Sequence, residues 1–295
     1  MKAIVTGSAG FVGRHMVKAL RGRGYDVEEW DLRTGADCLG LFSRPRRHGP
    51  DLLVHAAASQ PHRAAIDGEP MHLVCNLHMD AAAFDWAVRS GTRMLYLSSS
   101  AAYPVQMQTG RGSQRLREKD IGTPVPNPDA AYGRAKLIGE EMAAAARAHI
   151  PVHVVRPFSG YGEDQDDRFP FGAFAYRTRC RDDPFDIWGG GSQVRDWVHI
   201  DDVIGACLAL IDADFPGPVN ICTGVGTSMF DLAQTMWTYA GYQPRLQLHP
   251  DRPAGVAYRV GDPSLLNLYY TPKVDLTEGI RRALDKDTGG QRWPR

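Results

Sequence analysis

The chain has 295 residues and no net charge, with 34 lysines and arginines against 34 aspartates and glutamates. Without a global field there is nothing to draw in nucleic acid or an anionic membrane surface, so an anionic ligand must be held by local groups. No stretch approaches the roughly 18 consecutive apolar residues that span a bilayer, so neither nucleic acid nor membrane is expected as a partner. The opening MKAIVTGSAG has one lysine and an apolar run too short for a signal-peptide core, which points to the cytoplasm. Cys38, Cys75, Cys180, Cys207 and Cys222 form no Cys-x-x-Cys pair and no zinc-like spacing with histidine. They read as reduced, mostly packed thiols. The ten histidines lack ligand spacing as well; His62, His72 and His78 fall on loop or helix surface, and no metal is expected. Internal repeats and low-complexity tracts are absent.

Up to about residue 155, short apolar runs alternate with amphipathic stretches. The runs are KAIVT (2–6), DVEEWD (26–31), DLLVHAAA (51–58), RMLYLSSS (93–100) and PVHVVRP (151–157), with helical patterns from Phe11, near 76–90 and near 130–148. Runs apolar on both faces and separated by helices call for a parallel sheet covered on each side. The expected class is α/β, a Rossmann-type doubly wound parallel sheet with a smaller, interleaved C-terminal substrate-binding lid. Residues 1–157 make the dinucleotide-binding part, to which about 194–215 returns. Residues 158–285 are mainly lid, with the strand-like VRDWVHI (194–200) and VNICTG (219–224) and helices near 201–212, 228–240 and 275–285. Residues 286–295 lack an apolar pattern and are expected to be a disordered tail.

Thr6-Gly7-Ser8-Ala9-Gly10-Phe11-Val12-Gly13 follows the first strand and opens a helix. Glycines there permit a tight turn and close backbone approach, and the exposed N–H groups of a helix start hold a pyrophosphate without a cationic side chain. Asp31 ends the second strand about 20 residues on, where an acid bonds a ribose 2′-hydroxyl and repels a 2′-phosphate. NAD is thereby favoured over NADP, although Arg33 is close enough to meet a phosphate. Tyr132 and Lys136, at i and i+4, share one helix face. A tyrosine is too weak an acid to serve as a base at neutral pH unless something favours its phenolate, as a neighbouring ammonium does.

Several motifs occur in one order along the chain: the glycine turn, His55-Ala56-Ala57-Ala58, Leu97-Ser98-Ser99-Ser100-Ala101-Ala102-Tyr103, Tyr132-Gly133-Arg134-Ala135-Lys136, Arg156-Pro157, and Arg195-Asp196-Trp197-Val198-His199-Ile200-Asp201-Asp202-Val203. In this order they resemble the extended branch of the short-chain dehydrogenase/reductase superfamily, the NAD-dependent nucleotide-sugar epimerases and dehydratases, over roughly residues 1–285. The resemblance implies Ser99, Tyr132 and Lys136 as catalytic groups. Ser98 and Ser100 flank Ser99, and strand alternation sends neighbours to opposite faces. It implies cofactor contacts at Gly7, Gly10, Phe11, Val12, Gly13, Asp31, Ala56, Ala57, Ala58, Tyr132, Lys136 and Phe158. Asn76 is either such a contact or a helix N-cap, and Asp37-Cys38 either meets adenine or is a surface loop. Ser99, Ser100, Tyr132 and Ser159 are implied to meet the sugar, and Arg195 and Arg252, whose guanidinium forks suit phosphate oxygens, the diphosphate.

The same family suggests which reaction. Its 4,6-dehydratases carry Thr-Asp-Glu where this chain has Ser99-Ser100-Ala101. Its decarboxylating members keep a carboxylate at the position of Ala101, and its 3,5-epimerases a cysteine. Alanine does neither job, so the expectation is an NAD-dependent nucleotide-sugar 4-epimerase working through a transient 4-keto sugar. A related 4-ketoreductase or dehydratase, or a non-catalytic dinucleotide-binding regulator, remain alternatives. Two departures stand out. The usual Arg-Pro-x-Asn reads Arg156-Pro157-Phe158-Ser159, and the stretch Ala58-Ser59-Gln60 lacks a lysine common in UDP-galactose 4-epimerases. The alanine-rich helices near 76–90 and 130–148 imply a homodimer.

Overall fold

The apolar runs pair side by side in the computed structural model, which describes residues 1–45, 48–59, 71–110, 114–122 and 127–286. Strands β1 (Lys2–Thr6), β2 (Asp26–Trp30), β3 (Leu52–His55), β4 (Met94–Leu97), β5 (Val152–Pro157) and β9 (Val219–Ile221) form one sheet in the order β2-β1-β3-β4-β5-β9. Every pairing in it is parallel. Each residue of β3 and β4 is buried, as strands covered on both faces require.

Side chains alternate along each strand and so feed two cores. Ala3, Val5, Leu52, Val54, Leu95 and Val155 pack with helices α1 (Phe11–Gly22) and α6 (Ile200–Asp212). Ile4, Leu53, Met94, Tyr96, Val152 and Val154 meet the other face, built from α2 (Cys38–Phe42), α3 (Met71–Ser90) and α4 (Ala130–Ala146). This is the Rossmann-type doubly wound sheet. From β1 the chain runs outward to β2, then crosses to β3 on the other side of β1. The C-terminal ends of β1 and β3 therefore flank the switch point, where such sheets open a ligand crevice.

A second unit gathers around β8 (Val194–His199), which pairs with β6 (Ser159–Tyr161), β10 (Gly226–Ser228) and β12 (Tyr258–Arg259). Strands β7 (Phe185–Trp188) and β11 (Leu246–His249) form a separate parallel pair. Helices α5 (Pro170–Cys180), α7 (Met229–Tyr239) and α8 (Leu276–Asp285) enclose an aromatic core of Phe171, Phe174, Phe185, Trp197 and Trp237. Besides α2 and the short strands β6, β7, β10, β11 and β12, which the sequence reading did not place, two elements differ from it. Residues 219–221, grouped there with the lid, supply the sixth strand of the main sheet. The Gly-, Asp- and Phe-rich segment 158–192 holds α5, opened by Pro170 at a position where the missing N–H costs nothing. The expected tail, 286–295, lies outside the described residues beyond Lys286.

The acids of the RDWVHIDDV string act as fasteners. Asp196, fully buried, accepts from Thr223 N–H at 2.8 Å, Thr223 Oγ1 at 2.7 Å, Gly224 N–H at 2.9 Å and Gly261 N–H at 3.2 Å. Asp202 accepts from the Tyr270 hydroxyl at 2.8 Å and from the N–H groups of Lys273 and Val274, both at 2.9 Å.

Thiol burial sorts the cysteines. Cys75 and Cys180 are exposed; Cys38, Cys207 and Cys222 are buried. Burial pushes the Cys38 thiol up to about 11, that of Cys207 to about 12, and that of Cys222 well above the usual range. Titration with an aromatic disulfide at neutral pH should therefore release two equivalents quickly from the native protein and the remaining three only after unfolding. Rapid release of all five would contradict the packing described.

Candidate active site

The crevice at the switch point begins with backbone geometry. Gly7 has φ +67, and a Cβ there would stand 2.7 Å from both the Ala56 carbonyl carbon and the Ala57 nitrogen. The turn after β1 thus lies directly on the chain leaving β3. A Cβ on Gly13 would strike the Gly7 carbonyl oxygen, and Gly10 N–H donates to that oxygen at 3.0 Å. Gly10 is the N-cap of α1, so no side chain caps the helix start, and no acid occupies the first turn. Phe11, Val12 and Gly13 open that helix, leaving a cradle that a Cβ would fill and amide donors suited to an anion. This geometry fits a dinucleotide pyrophosphate.

Asp31 lies at the end of β2 beside the turn. Its Oδ2 accepts from Ala9 N–H at 3.0 Å and its Oδ1 from Arg33 N–H at 2.8 Å. Arg33 reaches the Ala9 carbonyl at 3.2 Å. Asp37 caps α2 by accepting from Leu39 N–H at 3.0 Å, while Cys38 packs in the core with Leu41 and Phe42. Asn76 is not an N-cap. It sits in the second turn of α3, fully buried, accepting from Ser59 N–H at 2.7 Å and donating to Ser59 C=O at 2.9 Å. It clamps the chain that follows Ala56, Ala57 and Ala58. Ala56 and Ala57 are half-buried and Ala58 is exposed; Gln60 lies outside the described residues. Phe158 is buried against Tyr103, Leu116 and Cys222.

Beside this cradle, β4 delivers the serine run. Ser98 is buried and donates to Glu140 Oε1. Ser100 is also buried. Ser99 is half-buried, and its Oγ accepts from Ala101 N–H at 3.1 Å as it caps the turn Ser100–Ala102. The start of α4 is held against that turn. Asp129 N–H donates to Ala101 C=O at 3.0 Å, and a Cβ on Gly133 would collide with the same oxygen. Tyr132 and Lys136 follow one turn apart. The Lys136 ammonium lies 5.8 Å from the Tyr132 ring centroid and 4.8 Å from that of Tyr96. The structure thus brings Ser99, Tyr132 and Lys136 to the junction of β4 and α4.

The second unit, around β8, carries two arginines, Arg195 and Arg252. Arg195, in β8, donates to Val194 C=O at 2.8 Å and to Ala254 C=O at 3.4 Å, which ties it to the loop bearing Arg252. Arg252 is exposed, its guanidinium 5.6 Å from the Trp188 ring centroid. Ser159 opens β6 opposite Trp197 of β8.

Sequence reasoning passed over three features. Glu140 lies one turn beyond Lys136, a spacing that the Tyr132–Lys136 pattern already marks. It takes Arg156 through two bonds, at 2.8 and 2.6 Å. Arg259 of β12 binds Gln108 Oε1 at 2.6 Å and Asp129 Oδ2 at 2.8 Å, joining the lid to the N-cap of α4. Asp80, on α3, is 1% exposed and meets His55 and Tyr96. The last two pairings are long-range and leave no local signal.

The chain is similar to known proteins along most of its length. The model of the NAD dependent epimerase/dehydratase family matches residues 3–222. The GDP-mannose 3,5-epimerase of Arabidopsis thaliana is 26% identical across 95% of this chain and 80% of its own length. UDP-glucuronic acid decarboxylase 1 of the same plant is 27% identical across 96% of this chain and 68% of its own. Among solved structures, the UDP-glucuronic acid 4-epimerase of Bacillus cereus, in complex with UDP-glucuronic acid and NAD, superposes with a TM-score of 0.80 at 25% identity. That match covers 97% of this chain and 98% of the other.

The serines separate by experiment. Ser99→Ala removes the cap of one short turn and should destabilise by no more than about 1 kcal/mol, while lowering turnover about tenfold or more. Ser98→Ala removes a buried donor from Glu140 and should destabilise by about 1–3 kcal/mol. The reverse pattern in urea unfolding and steady-state rates would mean that the register of the strand had been misread.

Proposed function

Because the chain belongs to the NAD dependent epimerase/dehydratase family, we propose that it holds NAD in the glycine cradle and interconverts nucleotide sugars epimeric at C4 through a transient 4-keto sugar. The observation that carries this reading is the engagement of the carboxylates around Ser99 and Tyr132. Ala101 stands where an acid would serve elimination or decarboxylation, and it is buried beneath α4. Glu140 is taken by Arg156, Asp129 by Arg259, Glu118 by Asn220 N–H at 3.0 Å, and Asp80 by His55 and Tyr96. Among the described residues around Ser99 and Tyr132, what remains for chemistry is a phenol, an ammonium and a hydroxyl.

These groups suit reversible oxidation of an alcohol. Tyr132 is placed to take the proton of the C4 hydroxyl as that carbon is oxidised, with the Lys136 ammonium 5.8 Å from its ring centroid. NAD, when bound, supplies the hydride acceptor and donor, and the glycine turn, α1 and Asp31 are the groups that would hold it. Ser99 donates its hydroxyl to the carbonyl oxygen as it forms and keeps it in line with Tyr132. Arg195 and Arg252 grip the diphosphate, leaving the sugar free to turn over. Once the sugar has turned over, Tyr132 would return its proton to the C4 oxygen, whose carbon then presents its opposite face to the cradle that would hold NAD. Nothing is consumed, so the cofactor is regenerated at each turnover. A homodimer through α3 and α4 belongs to this reading.

Denaturing the purified protein should release NAD(H), and incubating the native protein with UDP-, GDP- and dTDP-sugars should give 4-epimers without added cofactor. Tyr132→Phe should cut turnover about 10²- to 10⁴-fold. Stoichiometric consumption of NADH or NADPH would select a ketoreductase, and a product lighter by one water a dehydratase.

A further inference from the structure

Helix α4 lies over a chain of buried polar groups that the reaction above does not use. Lys136 is 2% exposed, its ammonium 4.8 Å from the Tyr96 ring centroid. The Tyr96 hydroxyl donates to Asp80 Oδ2 at 2.6 Å. Asp80 Oδ1 meets His55 Nε2 at 3.0 Å, and His55 Nδ1 meets Thr6 Oγ1 at 2.8 Å. Thr6 Oγ1 also accepts from Ala57 N–H at 3.4 Å. The hydrogen-bond geometry lets the His55 Nε2–H donate to Asp80 while the Thr6 hydroxyl donates to Nδ1. Asp80 is thus a buried carboxylate that meets two side chains, His55 and Tyr96.

The charges around Lys136 can be paired off. It lies against the Tyr132 ring of its own helix and the Tyr96 ring of β4; beyond Tyr96 stand Asp80 of α3 and His55 of β3, and one turn along α4 stands Glu140 with Arg156 of β5. Glu140 and Arg156 neutralise each other through two hydrogen bonds, which leaves Lys136 and Asp80. Burial alone would push the Asp80 carboxyl up, but the Lys136 ammonium, then His55 and Tyr96, hold it below the usual range. An uncompensated buried ammonium tends to lose its proton. Gly139 allows the close approach, since a Cβ there would strike the Tyr96 hydroxyl and lie 2.9 Å from Asp80 Oδ2.

We propose that Asp80 is the countercharge of Lys136 and a positioning residue for the Tyr132–Lys136 pair, acting across the Tyr96 ring without touching substrate or cofactor. Its catalytic consequence rests on the function proposed above; the charge pairing does not.

A double-mutant cycle in urea tests the pairing on the full chain. Asp80→Asn and Lys136→Met should each weaken folding. The double variant should lose less than their sum, by about tenfold or more in the unfolding equilibrium constant. Additive losses would overturn the proposal. Should Asp80→Asn fail to fold, Tyr96→Phe keeps the ring, drops the hydroxyl that anchors Asp80, and should show the same coupling at smaller size; additivity there would overturn it equally. In activity, Asp80→Asn should move the alkaline limb of kcat to lower pH by about one unit, and Asp80→Glu should restore it. An unmoved limb would remove the positioning role. A wild type inactive on nucleotide sugars would instead sink the function and leave the urea cycle standing.

Discussion

The contact between the Gly7 turn and the backbone of Ala56 and Ala57 is the constraint on which the rest of the structure depends. It exists because Gly7 has no Cβ and a positive φ. It sets β1 and β3 side by side at the switch point and aims the uncapped start of α1 into the crevice. A neutral chain can meet a dianionic ligand there because the partial charges are those of the backbone. Asp31 adds one fixed carboxylate at the rim by gripping Ala9. The same contact reaches inward: Thr6, the residue before the turn, begins the hydrogen-bonded chain through His55 and Asp80 to Tyr96. The cofactor cradle and the helix of Tyr132 are thus two ends of one buried framework.

Strand β4 couples that framework to the chemistry. Tyr96 and Ser98, two residues apart, both address α4: Tyr96 underlies Lys136, and Ser98 binds Glu140. Tyr132, Lys136 and Glu140 occupy successive turns of that helix, so the catalytic candidates stand above two buried charge pairs. Buried charges are tolerated only when paired and hydrogen-bonded, and breaking such a pair costs about 3–5 kcal/mol. Glu140 with Arg156 satisfies that rule through direct bonds, with Tyr103 adding a hydroxyl 3.0 Å from Arg156. Asp80 and Lys136 satisfy it across an aromatic ring. The lid is tied to the same helix through Arg259 and Asp129.

The fold was largely legible because its signals are local. Parallel strands buried on both faces read as unbroken apolar runs, and the glycine turn declares itself between a strand and a helix. That Tyr132 and Lys136 share a helix face was legible by spacing, and that Ser99 ends β4 was legible from the apolar run before it. What escaped had physical reasons. Residues 219–221 make a strand too short to show a period, so their membership of the main sheet is fixed only by tertiary pairing with β5. Helix α5 is masked by Asp- and Gly-rich flanks. Asn76 resembled a helix cap because the sequence cannot register the helix start at Met71. Asp80, His55 and Arg259 find partners many residues away, and charge pairing at that range leaves no trace in composition or spacing. In the RDWVHIDDV string the sequence pointed to a ligand arginine. Its acids turn out to hold loops together.

The central claim is that hydride leaves C4 and returns to C4 within one binding event. The direct measurement is incubation of the purified protein, without added cofactor, with a nucleotide sugar carrying deuterium at C4, followed by nuclear magnetic resonance of the products. The account predicts the 4-epimer with deuterium retained at C4 and no solvent hydrogen incorporated there. Loss of the label to solvent, or a product in which C4 stays unchanged while another carbon is altered, would contradict it.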